Sequence, residues 1–173
     1  HCPLPTGRAT RALFVLPDSL THQWLVEMLG RFNLRLSIVG QGRYDALKEQ
    51  ESDVDALVNH IFGDEDAVNP FESEQLVLCS LDFLKKSQKA QDDALKAHWD
   101  LMIVDEAHHL AWSPEEVSPE YRIVEELSAV SRGLLLLTAQ AEQGVTTLPF
   151  LRLTQPDRDS FEHLETRADD KEQ

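Results

Sequence analysis

Asp100-Leu101-Met102-Ile103-Val104-Asp105-Glu106-Ala107-His108 decides how the rest of this chain is read. Four consecutive apolar residues predict a short strand buried on both faces, as strands of a parallel sheet are. The strand delivers two adjacent carboxylates, Asp105 and Glu106, into a turn. In α/β sheets ligands gather at the carboxyl ends of the strands. One carboxylate there suits Mg²⁺, held through water because that ion keeps part of its hydration shell. Its neighbour can polarise a water for in-line attack on a phosphoryl group. On this reading Asp105 is the metal acid and Glu106 the water-activating acid. His108 would sense phosphate through a hydrogen bond, with His109 beside it.

Other readings of the same residues stay open. Asp-Glu after a strand also begins ordinary solvated loops. Zinc held by His108, His109 and a carboxylate is a second option, set back because adjacent histidines are expected to point apart and no thiol pair is near.

Working outward, Ala12-Leu13-Phe14-Val15-Leu16 is a further buried-strand run, stopped by Pro17. Asp18 or Ser19 is expected to cap the next helix, whose apolar residues recur at helical spacing from Leu20 to about Phe32. Leu34–Val39 predicts a second strand and Gln75–Cys79 a third. Ser80 is expected to cap a short helix into Lys85-Lys86. Residues 88–98 predict another helix, closed by Trp99, and Glu120–Val130 one more. Gly133 restarts the chain into Leu134–Leu137, the fifth strand, which ends at Thr138. A hydroxyl there could bond the catalytic loop, or Thr138 could simply end its strand.

Strands alternating with helices predict an α/β domain on a mostly parallel sheet flanked by helices. Its expected span is 11–154, with an acidic insertion near 51–68 and a further strand in Leu148–Leu153. Residues 1–10 read as a frayed lead-in and 155–173 as a charged, mobile tail.

Composition bounds the function. The 173 residues suffice for one domain with a core, and 42% hydrophobic with 27% charged residues is ordinary for a globular protein. No apolar run approaches the roughly 18–20 residues that span a bilayer. Two cysteines, Cys2 and Cys79, favour a reducing cytosol over a disulfide framework. A net charge of −15 repels nucleic acid over most of the surface, so any such contact must be a local patch. The amino terminus carries no secretory leader pattern. The start at His1 rather than Met predicts a piece of a longer protein.

Taken in order, four segments resemble motifs Ia, Ib, II and III of the first RecA-like lobe of superfamily-two helicase-type ATPases. They are Phe14-Val15-Leu16-Pro17 with its helix, Leu76–Leu84, Asp105-Glu106-Ala107-His108-His109-Leu110, and Leu137-Thr138-Ala139. Longer stretches sharpen the likeness. Val15 to Leu29, Asn69-Pro70-Phe71, Gln75 to Leu84 and Trp99-Asp100-Leu101 are similar to the bacterial Swi/Snf-type branch. The resemblance covers about residues 11–160.

It implies a partial RecA-like (P-loop NTPase) lobe of a DNA-dependent ATPase that uses ATP and Mg²⁺, moves on double-stranded DNA, binds RNA polymerase and promotes its recycling. A cytoplasmic, nucleoid-associated setting in a bacterium goes with it. By matching positions, Asp105 and Glu106 would be the Mg²⁺ and water-activating acids, and His108 and Thr138 would couple hydrolysis to lobe movement. Pro17, Asp18 and Ser80 would face the nucleic-acid groove.

The sequence departs from that pattern in several places. A phosphate loop ending Gly-Lys-Thr/Ser is expected before residue 11, and Gly7-Arg8-Ala9-Thr10 lacks both its spacing and its lysine. A second lobe with arginine fingers is not in these residues, and Gln140-Ala141 stand where Thr-Pro is usual. The expectation is therefore that this chain alone neither binds ATP tightly nor hydrolyses it. It also follows that Leu134–Leu137 forms an apolar sheet edge. Two other classes remain: a degenerate ATPase-like module for protein binding, and an unrelated Mg²⁺-dependent phosphohydrolase, which would need further carboxylates such as Asp18 converging near Asp105.

Overall fold

Strand β1 (Ala12–Leu16) is apolar at all five positions and buried at all five. Such a strand can only sit inside a sheet, with layers on both faces. In the computed structural model, which describes residues 11–50, 68–113 and 116–138, it pairs in parallel with β3 (Leu76–Ser80) on one side and β4 (Leu101–Val104) on the other. Strand β2 (Ser37–Ile38) adds to β3, and β5 (Leu134–Leu136) adds to β4, giving the order β2-β3-β1-β4-β5 with every pairing parallel. The fold is thus the expected α/β architecture. The lead-in, the predicted strand Leu148–Leu153, the charged tail and all of the acidic insertion but its last residue lie outside the described residues.

Alternation along the strands divides the core in two. Leu13, Val15, Val77, Cys79, Met102 and Val104 point into a large cluster with Leu84, Trp99, Tyr121, Val124 and Leu127. Ala12, Phe14, Leu16, Leu78 and Ile103 form a smaller cluster on the opposite face, against Trp24, Leu25 and Met28 of helix α1 (Thr21–Phe32). The large cluster is covered by α2 (Gln41–Gln50), α3 (Leu81–Lys86), α4 (Gln88–Lys96) and α5 (Pro119–Ala129). Three serines start three of these helices, each accepting a backbone N–H bond. Ser80 accepts from Phe83, Ser87 from Ala90, and Ser118 from Tyr121, with Pro119 behind it in the first turn.

Several expected boundaries move. Neither Asp18 nor Ser19 caps α1. Residues Asp18–Leu20 instead form a 3-10 turn that begins at Pro17 with no side-chain cap. The second strand is not Leu34–Val39, because Leu34 is still tied to the end of α1. Asn33 turns left-handed (φ 53°) and the Leu34 N–H returns to the Met28 carbonyl at 3.0 Å, so only Ser37–Ile38 is free to pair. Helix α4 stops at Lys96 rather than 98, since Ala97 is already extended. Strand β5 ends at Leu136, although the Leu137 N–H still reaches the Val104 carbonyl at 2.8 Å. Among the described residues β5 is paired on one side only, and Leu135 is 45% exposed.

Candidate functional site

Buried β4 ends where the predicted chemistry begins. Asp105 leaves the strand with its N–H donated to the Val15 carbonyl of β1 at 3.1 Å, so its backbone is fastened to the neighbouring strand. Glu106 then adopts left-handed backbone angles (φ 52°, ψ 39°) and starts the 3-10 turn Ala107–His109. A non-glycine residue held there costs energy that the surrounding contacts must offset. They are visible: the Ala107 N–H donates to the Leu137 carbonyl at 2.9 Å, pinning the turn against the end of β5.

The two carboxylates are held by different partners. Asp105 Oδ1 accepts the Glu106 N–H at 2.8 Å, and its Oδ2 accepts the Trp24 indole N–H of α1, also at 2.8 Å. Glu106 Oε2 instead lies 3.0 Å from His108 Nδ1. Thr138 Oγ1 approaches that same nitrogen at 3.3 Å from the end of β5. Both acids are half-buried. They are neither deep in the interior nor carried on an α-helix. Asp105, Glu106 and His108 are brought together with Thr138, some thirty positions later, at adjoining strand ends.

His109 behaves differently from its expectation. The rings of His108 and His109 do not diverge; their centroids lie 4.1 Å apart at 40°. In the 3-10 turn successive side chains diverge by about 120°, less than the opposition of an extended chain, so the two rings can meet. Glu106, His108 and His109 each bring a ligand atom within 4.8 Å of the others. This is the one such cluster among the described residues, and it includes neither Asp105 nor Asp18. Among the described residues, Asp105 and Asp18 thus share no cluster of ligand groups.

Pro17, Asp18 and Ser80 stand at the carboxyl ends of β1 and β3, where Leu16 pairs with Ser80. Asp18 and Ser80 line an open cleft of about 350 Å³ with Thr21, Gly40, Phe83 and Lys86. Ser80 is already engaged as the cap of α3, and the Asp18 N–H points to Asp82 Oδ2 at 3.4 Å. The Thr21 hydroxyl has no hydrogen-bond partner among the described residues. Cys79, behind this cleft, is core. Burial, with a smaller push from the Asp18 charge, raises its thiol well above the ordinary value, so it is no nucleophile at neutral pH.

Two features escaped the sequence reading. Trp24 was legible only as one member of an apolar stripe; that its N–H ends on Asp105 required the fold, although a partly buried indole N–H always needs some acceptor. The buried Tyr44 hydroxyl donates to Asp93 Oδ2 at 2.8 Å, between helices α2 and α4. Burial, the bond to Asp93 and the Asp93 charge together push the Tyr44 phenol far up.

Comparison with known proteins fits this geometry. Residues 5–143 match the family model described as type III restriction enzyme, res subunit. The RNA polymerase-associated protein RapA of Vibrio cholerae serotype O1 is 46% identical over 173 residues, which is 100% of this chain and 16% of that protein. RapA of Yersinia enterocolitica serotype O:8 is 47% identical over 165 residues, 95% of this chain and 15% of that protein. The chain thus spans about a sixth of the length of these relatives, a share of 15–16%. A solved structure, the Sulfolobus solfataricus SWI2/SNF2 ATPase core in complex with dsDNA, superposes on 86% of this chain and 25% of its own with a TM-score of 0.56. At 15% identity that likeness speaks for the fold alone.

Proposed function

Since this chain belongs to the type III restriction enzyme res subunit family, we propose that it forms part of the first RecA-like lobe of a Swi/Snf-type, DNA-dependent ATPase. One observation carries the reading. Adjacent acids at the carboxyl end of a buried parallel strand are joined, through His108, to a hydroxyl at the end of the next strand.

The donor set fits Mg²⁺. Two half-buried carboxylates offer hard oxygen ligands at a solvent-facing strand end, and each Asp105 oxygen accepts one hydrogen bond, leaving acceptor capacity for a metal-bound water. When bound, Mg²⁺ would neutralise charge on the phosphates of ATP. Asp105, whose two carboxylate oxygens each accept a hydrogen bond, would be the residue that holds the ion, through its waters. Glu106 takes the proton of the attacking water, with Oε2 steadied by His108. His108 and Thr138 connect this acid to the end of β5, so a change at the phosphate is passed to the strand edge. The cleft at Asp18, Thr21 and Ser80, with Lys86 at its rim, is the place for a nucleic-acid backbone on an otherwise acidic chain.

No Gly-Lys pair occurs in the 173 residues, so the amides and lysine that cradle phosphates in this fold are not among them. Residues 1–173 by themselves therefore bind ATP weakly and do not turn it over. Calorimetric titration with Mg-ATP is the test, and low-micromolar binding by the chain alone contradicts that statement. In the full-length protein, Glu106→Gln is expected to lower DNA-stimulated hydrolysis by at least about a hundredfold. An activity within a few-fold of wild type would remove the assignment of Glu106.

RNA polymerase is the proposed partner of the whole protein, with recycling of the polymerase as the task and the bacterial cytoplasm as the setting. The association with RNA polymerase for which the RapA relatives are named, and the duplex bound to the SWI2/SNF2 core, support this reading. Among the described residues no helix is long and apolar enough to cross a membrane. Co-sedimentation of the full-length protein with purified bacterial RNA polymerase checks the partner.

A further inference from the structure

We infer that Trp24 is a positioning residue for the acidic pair: its indole N–H, 2.8 Å from Asp105 Oδ2, sets the direction in which Asp105 presents its carboxylate. The inference rests on the reading of Asp105 as the metal-side acid.

The geometry distinguishes the two bonds on that carboxylate. The Glu106 N–H on Oδ1 belongs to the same turn and moves with it. The indole on Oδ2 comes from α1, 81 positions earlier in the chain, and ties the carboxylate to a different element. An indole N–H can only donate, so the bond has one direction and one sense. Its ring is itself fixed. Phe14 of β1 lies 5.7 Å away at 57°, and Leu25 and Met28 pack with Trp24 on the smaller core cluster.

A backbone anchor on one side does not fix a side chain. The Asp105 N–H bond to Val15 holds the backbone, and the bond from Glu106 holds the carboxylate at one point, Oδ1, about which the group can still pivot. Among the described residues, the indole bond on Oδ2 supplies the second point that closes that freedom. Asp105 acts through the ordered waters of a cation, and a misdirected carboxylate loses that arrangement. Helix α1 also begins at the cleft lined by Asp18 and Thr21. A rigid shift of α1 driven from that cleft therefore reaches Asp105 through a single hydrogen bond.

The test uses the full-length protein and removes the N–H without removing the ring. Trp24 is replaced by β-(3-benzothienyl)alanine, in which sulfur stands for the indole nitrogen, and separately by Phe. The Mg²⁺ concentration for half-maximal DNA-stimulated ATP hydrolysis is measured, with DNA affinity measured in parallel. Loss of one charge-assisted bond predicts a rise of about tenfold in the Mg²⁺ requirement for both variants, at unchanged DNA affinity. A wild-type Mg²⁺ requirement in the benzothienyl variant would overturn the inference, since it would leave Trp24 with packing alone. A lowered requirement would overturn it equally. Asp105→Asn, assayed alongside, separates the two levels. If it abolishes hydrolysis while the benzothienyl variant is normal, only the role of Trp24 falls. If it hydrolyses ATP like wild type, the reading of Asp105 falls and this inference with it.

Discussion

On the sheet face covered by α2 to α5, Leu13, Val77, Cys79, Met102 and Tyr121 are fully shielded from solvent. On the face covered by α1, that helix buries no residue completely, and Leu29, Phe32 and Leu135 remain 50%, 62% and 45% exposed. Both faces are apolar in sequence, so hydrophobicity does not separate them; the number of covering helices does. The closed face holds the larger buried cluster of the described residues. The half-open face leaves α1 held by partial burial and by the Trp24–Asp105 bond, which suits an element that moves relative to the site.

Core truncation on the closed side should have the largest effect. Trp99 stacks edge-on against Phe71 at 6.4 Å, lies under the Arg11 guanidinium at 5.0 Å and donates to the Ala94 carbonyl. Trp99→Ala is expected to cost about 3–5 kcal/mol in urea unfolding. A loss below about 1 kcal/mol would erase the distinction between the faces. Next comes Tyr44→Phe, which strips the buried Asp93 carboxylate of its hydroxyl donor but leaves Lys89 Nζ at 3.7 Å. About 1–3 kcal/mol should be lost, read by the same melts.

The matching truncation on the open side is Met28→Ala. Partial burial against the sheet predicts a loss of only about 1 kcal/mol, and a loss as large as that of Trp99→Ala would show α1 to be as integral as α5. At the exposed edge, Leu135→Lys should change stability by less than about 0.5 kcal/mol while reducing self-association in sedimentation runs. Unchanged or increased self-association would contradict the reading of β5 as an association-prone edge.

The smallest effect is expected from a tie outside both cores. Lys85 and Glu120 link α3 to α5, and their hydrogen bond lowers the Glu120 carboxyl below its ordinary value and raises the Lys85 ammonium above its own. Glu120 thus contributes stability that is present above its unfolded value and lost as pH falls through its folded one. Lys85 contributes stability that is present below its unfolded value and lost as pH rises through its folded one. Both groups are solvent-exposed enough for the effect to be weak and salt-sensitive. Glu120→Gln should lower stability slightly across the neutral range and leave it unchanged at the acid and alkaline extremes, so the profile flattens. A neutral-pH optimum that shifts in the variant would contradict this pairing.

Periodicity and charge made the five strands and the main helices legible, because continuous apolar runs have no other stable home than a covered parallel sheet. The acidic pair was legible for the same reason: Asp105 and Glu106 follow directly on such a run. Boundaries set by capping geometry were not. Asn33 turning left-handed kept Leu34 out of β2, and nothing in the apolar run Leu34–Val39 signals it.

By itself the sequence determined the central buried strands, the α/β class and the strand end where the acids stand, since these follow from local pattern. Tertiary structure alone decided which groups those acids touch. Trp24 meets Asp105, and His108 meets both Glu106 and Thr138, only because parallel pairing brings the ends of β1, β4 and β5 side by side. A hydrogen bond is decided by a few tenths of an ångström between segments distant in the chain, and no local pattern carries that distance.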